Sequence, residues 1–348
     1  MEPFKLPPDL LLGTATASLQ IEGGDTGNNW YRFCEQKRTK DGTHCIVADD
    51  HWNRYAEDIG MMAQLNQQLY RMSVEWSRIE PRPGEFDEAA LWHYREEIEM
   101  LLNRGIRPLV TLHHFSHPIW FEDMGGWLHP ASVDCFTRFC EKVVSGLGDL
   151  VAEWVTINEP NVYVEGTYSS ANYPGGKPSI AGYFKAAKHL VSAHIEAFRL
   201  IHRIRAERAF AGTTRVGVAH HIRVFDVPGN RRLDRLPQKL LEYGFHTLFL
   251  EGMTYGKFNF PLGFGGYPLG RGDYSDFMGI NYYSRDIVTF SWNPARLFSE
   301  LGVQEGAPTN DMGWEIYPEG LYRVCKRMWE TYRKPIFITE NGICDARD

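Results

Sequence analysis

No stretch of this sequence is apolar for long enough to cross a bilayer, and the run Leu10–Leu12 is too short even for the core of a secretion signal. The opening residues, MEPFKLPPDL, also lack a charged region followed by an apolar one. Cytoplasm is the expected compartment, with no membrane partner. Basic residues are not in excess. There are 37 Lys and Arg against 44 Asp and Glu, a net charge of −7. That argues against nucleic acid as a partner, since a polyanion needs a basic face. The six cysteines, at 34, 45, 135, 140, 325 and 344, form no C-x-x-C pair and show no zinc-like spacing. They read as reduced thiols, and neither a metal nor a cofactor is expected. No low-complexity segment and no Ser/Gly/Pro linker divides the chain, so residues 1–348 are expected to form one domain.

What the sequence does hold is aromatic: 14% Phe, Trp and Tyr, including ten Trp and seventeen Tyr. Flat rings stack on the apolar faces of sugars, but composition alone favours a large aromatic core. Short β-rich runs alternate with amphipathic helical stretches. The strand candidates are 11–17, 69–76, 107–114, 153–159, 215–221, 277–283 and 335–341. Between them, the segment from His51 carries Trp52, Tyr55, Ile59, Met62 and Leu65 on one face. A helix after Asp87 is capped by that residue and stops at Gly105. Longer helical patterns cover 181–206 and 318–332, the second opening on a proline. Strands alternating with helices predict a parallel sheet and an α/β fold, a (β/α)8 TIM-type barrel of which about seven strands are encoded.

In such a barrel the active site lies at the C-terminal ends of the strands. Those ends are polar here: Arg78, His113 and His114, Asn158 and Glu159, His220 and His221, Asn281 with Tyr282 and Tyr283, and Glu340 with Asn341. One polar strand end is ordinarily a capping or solvated group. Six together predict a functional cleft. Strands four and seven lie opposite each other in a closed barrel, so Glu159 and Glu340 become facing carboxylates. Glycoside hydrolysis needs such a pair, with a spacing that separates retaining from inverting enzymes. The histidines 113, 114, 117, 220 and 221 have no Glu-bearing i, i+4 helical partner, and a metal site is not expected from them. His113, His220 and His221 read as packing or loop residues.

TINEP at 156–160 and ITENG at 338–342 resemble the two signature segments of glycoside hydrolase family 1. SLQIEGG (18–24), SVEWSRIEP (73–81), TLHHFSHP (111–118) and MGINYYS (278–284) resemble further segments of that family, in order, with Phe115 where Trp is common. The resemblance implies a retaining, exo-acting β-glycosidase for β-D-glucosides, or for galactosides or fucosides. It implies that Glu159 is the general acid/base and Glu340 the nucleophile. Asn158 resembles the group that binds the sugar 2-hydroxyl, and Gln20 and His114 resemble contacts to the 3- and 4-hydroxyls. Arg78 and Tyr283 resemble the pair flanking the nucleophile, with Asn281 as a further support.

The family pattern continues past ENG into an eighth strand and a loop whose Trp and Glu hold the sugar 4- and 6-hydroxyls. Those segments do not appear before Asp348. The expectation is a piece of a longer enzyme, or a chain completed by a second polypeptide or by a symmetric copy in a homo-oligomer. The competing readings are an impaired family member that binds sugars or partners without turnover, and an inverting hydrolase on the same fold.

Overall fold

The strand candidates form strands, all but the one at 215–221 with shorter ends than their sequence runs. The structure is a computed structural model and describes residues 5–229, 231–268, 270–293 and 296–346. It separates into two units. The first holds residues 1–157, 172–176 and 199–215, and the second 158–171, 177–198 and 216–348.

In chain order the first unit runs β1 (Gly13–Ala15), α1 (Ser18–Ile21), α2 (Asn29–Glu35), α3 (His51–Gln64), β2 (Leu69–Ser73), α4 (Trp76–Ile79), α5 (Glu88–Asn103), β3 (Arg107–His113), α6 (Ile119–Asp123), α7 (Ser132–Leu147) and β4 (Glu153–Asn158). β1 pairs with β2, β2 with β3 and β3 with β4, all in parallel. Parallel strands are buried on both faces, which is why Tyr70, Met72, Leu109, Val110, Leu112, Trp154, Val155 and Ile157 are all nearly inaccessible. The Asp87 side chain accepts from the N–H groups of Ala89 and Ala90, the predicted cap of α5, and Gly105 follows the helix at φ 74°. Helix α7 has no counterpart among the helices read from the sequence. It buries Phe136, Phe139, Val143 and Leu147 on one face, and Phe139 stacks on Trp76 at 5.0 Å.

The chain continues through α8 (Pro160–Tyr168), α9 (Ile180–Glu207), β5 (Arg215–His221), β6 (Val224–Asp226), α10 (Arg235–Leu241), α11 (Leu248–Tyr255), β7 (Lys257–Phe258), β8 (Gly265–Gly266), β9 (Phe277–Tyr282), β10 (Arg285–Phe290), β11 (Ser299–Gly302), α12 (Glu319–Tyr332) and β12 (Ile336–Asn341). β5 and β12 flank β9 in parallel. Helix α12 presents Val324, Met328 and Tyr332, spaced by four residues, to a core that includes Met278 and Ile280 of β9. The stretch 222–276 holds β6, α10, α11 and the two-residue pair β7–β8. A second small sheet joins β6, β10 and β11.

Candidate active site

Strand β4 is buried to its end, where Asn158 is fully buried and Glu159 is 6% exposed. Glu159 cannot run straight on into α8, because Pro160 disfavours the right-handed helical region for the residue before it. It takes the left-handed conformation instead, φ 42° and ψ 59°. That costs a non-glycine residue about 1 kcal/mol or more. Its N–H is fixed to the Ala219 carbonyl of β5 at 2.7 Å, which holds the turn and aims the side chain.

Asn281 organises this carboxylate. Its Nδ2 donates to Glu159 Oε1 at 2.9 Å and to Asn158 Oδ1 at 3.0 Å. Its Oδ1 accepts the Thr339 hydroxyl at 2.6 Å. Thr339 precedes Glu340 on β12, and the register of β12 on β9 shifts between Ile338 and Glu340. A bulge of this kind re-aims a strand side chain, and bulges favour the surroundings of active sites. Glu340 Oε2 accepts the Tyr283 hydroxyl at 2.5 Å. One bonded path therefore runs from Glu159 through Asn281 to Thr339, and by a single peptide link to Glu340. The two carboxylates keep different company: an amide N–H and the Nδ1 of His221, 2.9 Å away, at Glu159, and a phenol at Glu340.

The second unit thus brings together Asn158, Glu159, Asn281, Tyr283 and Glu340. The other predicted residues belong to the first unit. Gln20 is exposed on α1. His114 is 8% exposed just past β3, edge-on to Phe115 at 5.3 Å. Arg78 does not end strand two, since β2 stops at Ser73 and Arg78 lies in α4. A strand reading carried the apolar pattern through Trp76, but the chain turns helical there to bury Trp76 and Ile79. The Arg78 guanidinium pairs with Glu22 at 2.8 Å, donates to the Gly23 carbonyl and lies over the Trp52 ring at 3.9 Å.

Two of the histidines separate. His220 is 3% exposed, and burial pushes its pKa down to about 3, so it is a neutral packing group. His221, read alongside it as packing, instead faces Glu159. Side chains alternate along a strand, so adjacent histidines point to opposite faces, and that alternation was the available signal. Arg71 was not singled out either. It is 1% exposed in β2 and donates from Nε to the Thr111 hydroxyl at 3.1 Å. A cation inside an otherwise apolar strand marks it, since desolvated charges gather at functional sites. Cys34, His44 and Cys45 place their ligand atoms within 4.8 Å of one another, a group no local spacing reveals. Both ring nitrogens of His44 are already engaged there, Nε2 with Glu35 and Nδ1 with the Ile46 N–H.

The profile of glycosyl hydrolase family 1 matches residues 3–261 and 271–348. The chain is 32% identical to Beta-glucosidase A of Thermotoga maritima, over 97% of this chain and 78% of that protein. It is 31% identical to a 1,4-beta-D-glucan glucohydrolase of Thermotoga neapolitana, over 97% of this chain and 82% of the relative. Among solved structures, a beta-glycosidase from Pyrococcus horikoshii superposes with a TM-score of 0.88 at 36% identity, covering 99% of this chain and 78% of that one. The Thermotoga maritima beta-glucosidase in complex with glucoimidazole superposes with a TM-score of 0.87 at 30% identity, covering 97% and 79%. The fold class is the α/β barrel that the strand and helix alternation predicts.

Proposed function

The chain belongs to glycosyl hydrolase family 1, and from that membership and the geometry around its carboxylates we propose that it hydrolyses β-D-glucosides with Glu159 as general acid/base and Glu340 as nucleophile. Membership makes it a glycoside hydrolase of the retaining type, working by double displacement. In the first step the Glu340 carboxylate attacks the anomeric carbon while Glu159 gives its proton to the departing oxygen. In the second, Glu159, now a carboxylate, takes a proton from water, and that water displaces Glu340 from the sugar.

The observation that carries the assignment is the Asn281 bridge. It sets Glu159 and Thr339, the neighbour of Glu340, on one side chain. The Tyr283 hydroxyl donates to Glu340 Oε2 and so fixes the orientation of the proposed nucleophile. Asn158, held by the same Asn281 amide, is the proposed contact to the sugar 2-hydroxyl, and Gln20 and His114 are proposed for the 3- and 4-hydroxyls. Arg78 pairs with Glu22 and donates to the Gly23 carbonyl, and Tyr283 is proposed as a support of Glu340.

Azide separates the two roles. With an activated aryl β-glucoside, Glu340→Ala plus azide should give the α-glucosyl azide. Glu159→Ala plus azide should give the β-glucosyl azide. A β-azide from the Glu340 variant, or no rescue of the Glu159 variant, would overturn the assignment concerned.

A further inference from the structure

His221 is the histidine that the proposed chemistry does not use, and it touches the proposed acid/base directly. Its Nδ1 lies 2.9 Å from Glu159 Oε1, and both side chains are largely buried, at 12% and 8% exposure. That oxygen also receives the Asn281 amide N–H at 2.9 Å. The amide faces this way because its Nδ2 meets two oxygens, Glu159 Oε1 and Asn158 Oδ1, while the Thr339 hydroxyl can donate to its Oδ1. Oε1 is therefore an acceptor already. A proton placed on it would face the amide hydrogen, so the imidazole must supply the hydrogen of the second contact, and His221 carries its proton on Nδ1.

The ring is held for this task. The Asn161 amide donates to the His221 carbonyl at 2.8 Å. The Tyr283 ring stacks against the imidazole at 5.8 Å and 28°, and Phe245 meets it edge-on at 6.0 Å. Among the described residues, the titratable and charged groups around it include Glu159, Tyr283, Asp286 and His246. Glu159 is bonded to it, and Tyr283 gives its hydroxyl to Glu340. Asp286 is paired with Arg223 at 2.8 Å, and His246 is paired with Glu242 at 2.8 Å.

We propose that His221 is a positioning residue for Glu159: its Nδ1–H and the Asn281 amide together reserve Oε1 as an acceptor, so that the transferable proton resides on Oε2 and the carboxylate form needed in the second step is favoured. The inference rests on the reading of Glu159 as acid/base. It assigns one oxygen to orientation and the other to proton transfer. In the first step Oε2–H gives its proton to the leaving oxygen, and in the second Oε2 accepts a proton from water. Oε1 keeps its two donors throughout, and no proton moves onto His221.

The test is an NMR titration of the full chain labelled at the glutamate side-chain carboxyl carbon, with Glu159 identified as the signal missing from Glu159→Gln. Removing the donor in His221→Phe should raise the Glu159 midpoint by about one pH unit, the scale expected for one lost bond to a charged carboxylate. His221→Asn places an amide N–H where Nδ1 stood and should return the midpoint to within a few tenths of a unit of the parent. The alkaline limb of kcat/KM should move with the midpoint, while melting temperatures track neither. A midpoint unchanged in His221→Phe would overturn the proposal. If that variant does not fold, the nitrogen shifts of the parent imidazole decide: protonation at Nδ1 supports the proposal, and protonation at Nε2 alone overturns it. A Glu159→Ala variant that azide cannot rescue would sink the acid/base reading separately, because the titration reads the hydrogen bond without turnover.

Discussion

The proposed cycle asks two opposite acts of Glu159. Its carboxyl is buried, and one of its oxygens meets the Asn281 amide N–H and, in the proposed tautomer, the His221 Nδ1–H. Glu159→Gln should therefore lose about 10²–10⁴-fold in kcat/KM on a substrate with a poor alcohol leaving group. It should lose far less on a dinitrophenyl glucoside, whose leaving group needs no acid. Equal losses on both substrates would contradict general-acid catalysis by this residue. At Glu340 the Tyr283 phenol is a direct contact. Tyr283→Phe removes a 2.5 Å bond to a charged group, worth about 1.5–3 kcal/mol, so kcat should fall roughly 10- to 100-fold in steady-state assays. Little of this network is legible locally. Glu159 and Glu340 stand out as polar ends of apolar strands, but Asn281 and Thr339 meet across 58 residues of sequence. The role of His221 is hidden behind the apolar burial of its neighbour His220.

At the scale of elements, the strands and caps were the readable part. β5 was read to the residue at 215–221, and the Asp87 cap of α5 took its place because a short acceptor side chain precedes a helical run. Asp87→Ala should cost about 1 kcal/mol, visible as a lower melting temperature with unchanged turnover. Less readable were the places where a strand gave way early. β2 stops at Ser73, and the polar residues after it belong to a helix, so Arg78 was placed on the wrong element. The small sheet of β6, β10 and β11 escaped notice because three- to six-residue strands carry little periodicity. Glycine in β9 has a packing reason. A Cβ on Gly279 would lie 2.3 Å from the Val218 carbonyl oxygen of β5. Gly279→Ala should therefore destabilise the protein by about 1–3 kcal/mol, checked by denaturant unfolding.

A pH-dependent term also belongs to the elements, where the first residue of α3 meets α5. His51 lies 2.5 Å from Asp58 and 3.0 Å from Glu97. Burial alone would lower its pKa, but the two carboxylates outweigh burial and lift it to about 9. The folded state then holds this proton more tightly than the unfolded chain does. The stabilisation is complete below the unfolded value, about 6.5, and is lost as pH rises through about 9. Thermal melts from pH 6 to 10 should show that decline in the parent and a flatter curve in His51→Gln. Parallel curves would rule the contact out as its source.

Across the whole molecule, the described residues give seven strands in the parallel set, and the first-named relatives are covered over 78% and 82% of their own lengths. Counting strands from the sequence succeeded because each carries three or more apolar residues between turn signals, a pattern that survives imprecise ends. The family's chemistry was readable for a different reason, since two short segments carry both carboxylates. The central claim is that these carboxylates retain configuration. Proton NMR of the first sugar released from an aryl β-D-glucoside by the unmodified chain tests it most directly. The account predicts β-glucose first, with α-glucose appearing only at the rate of mutarotation, and α-glucose as the first product would contradict it.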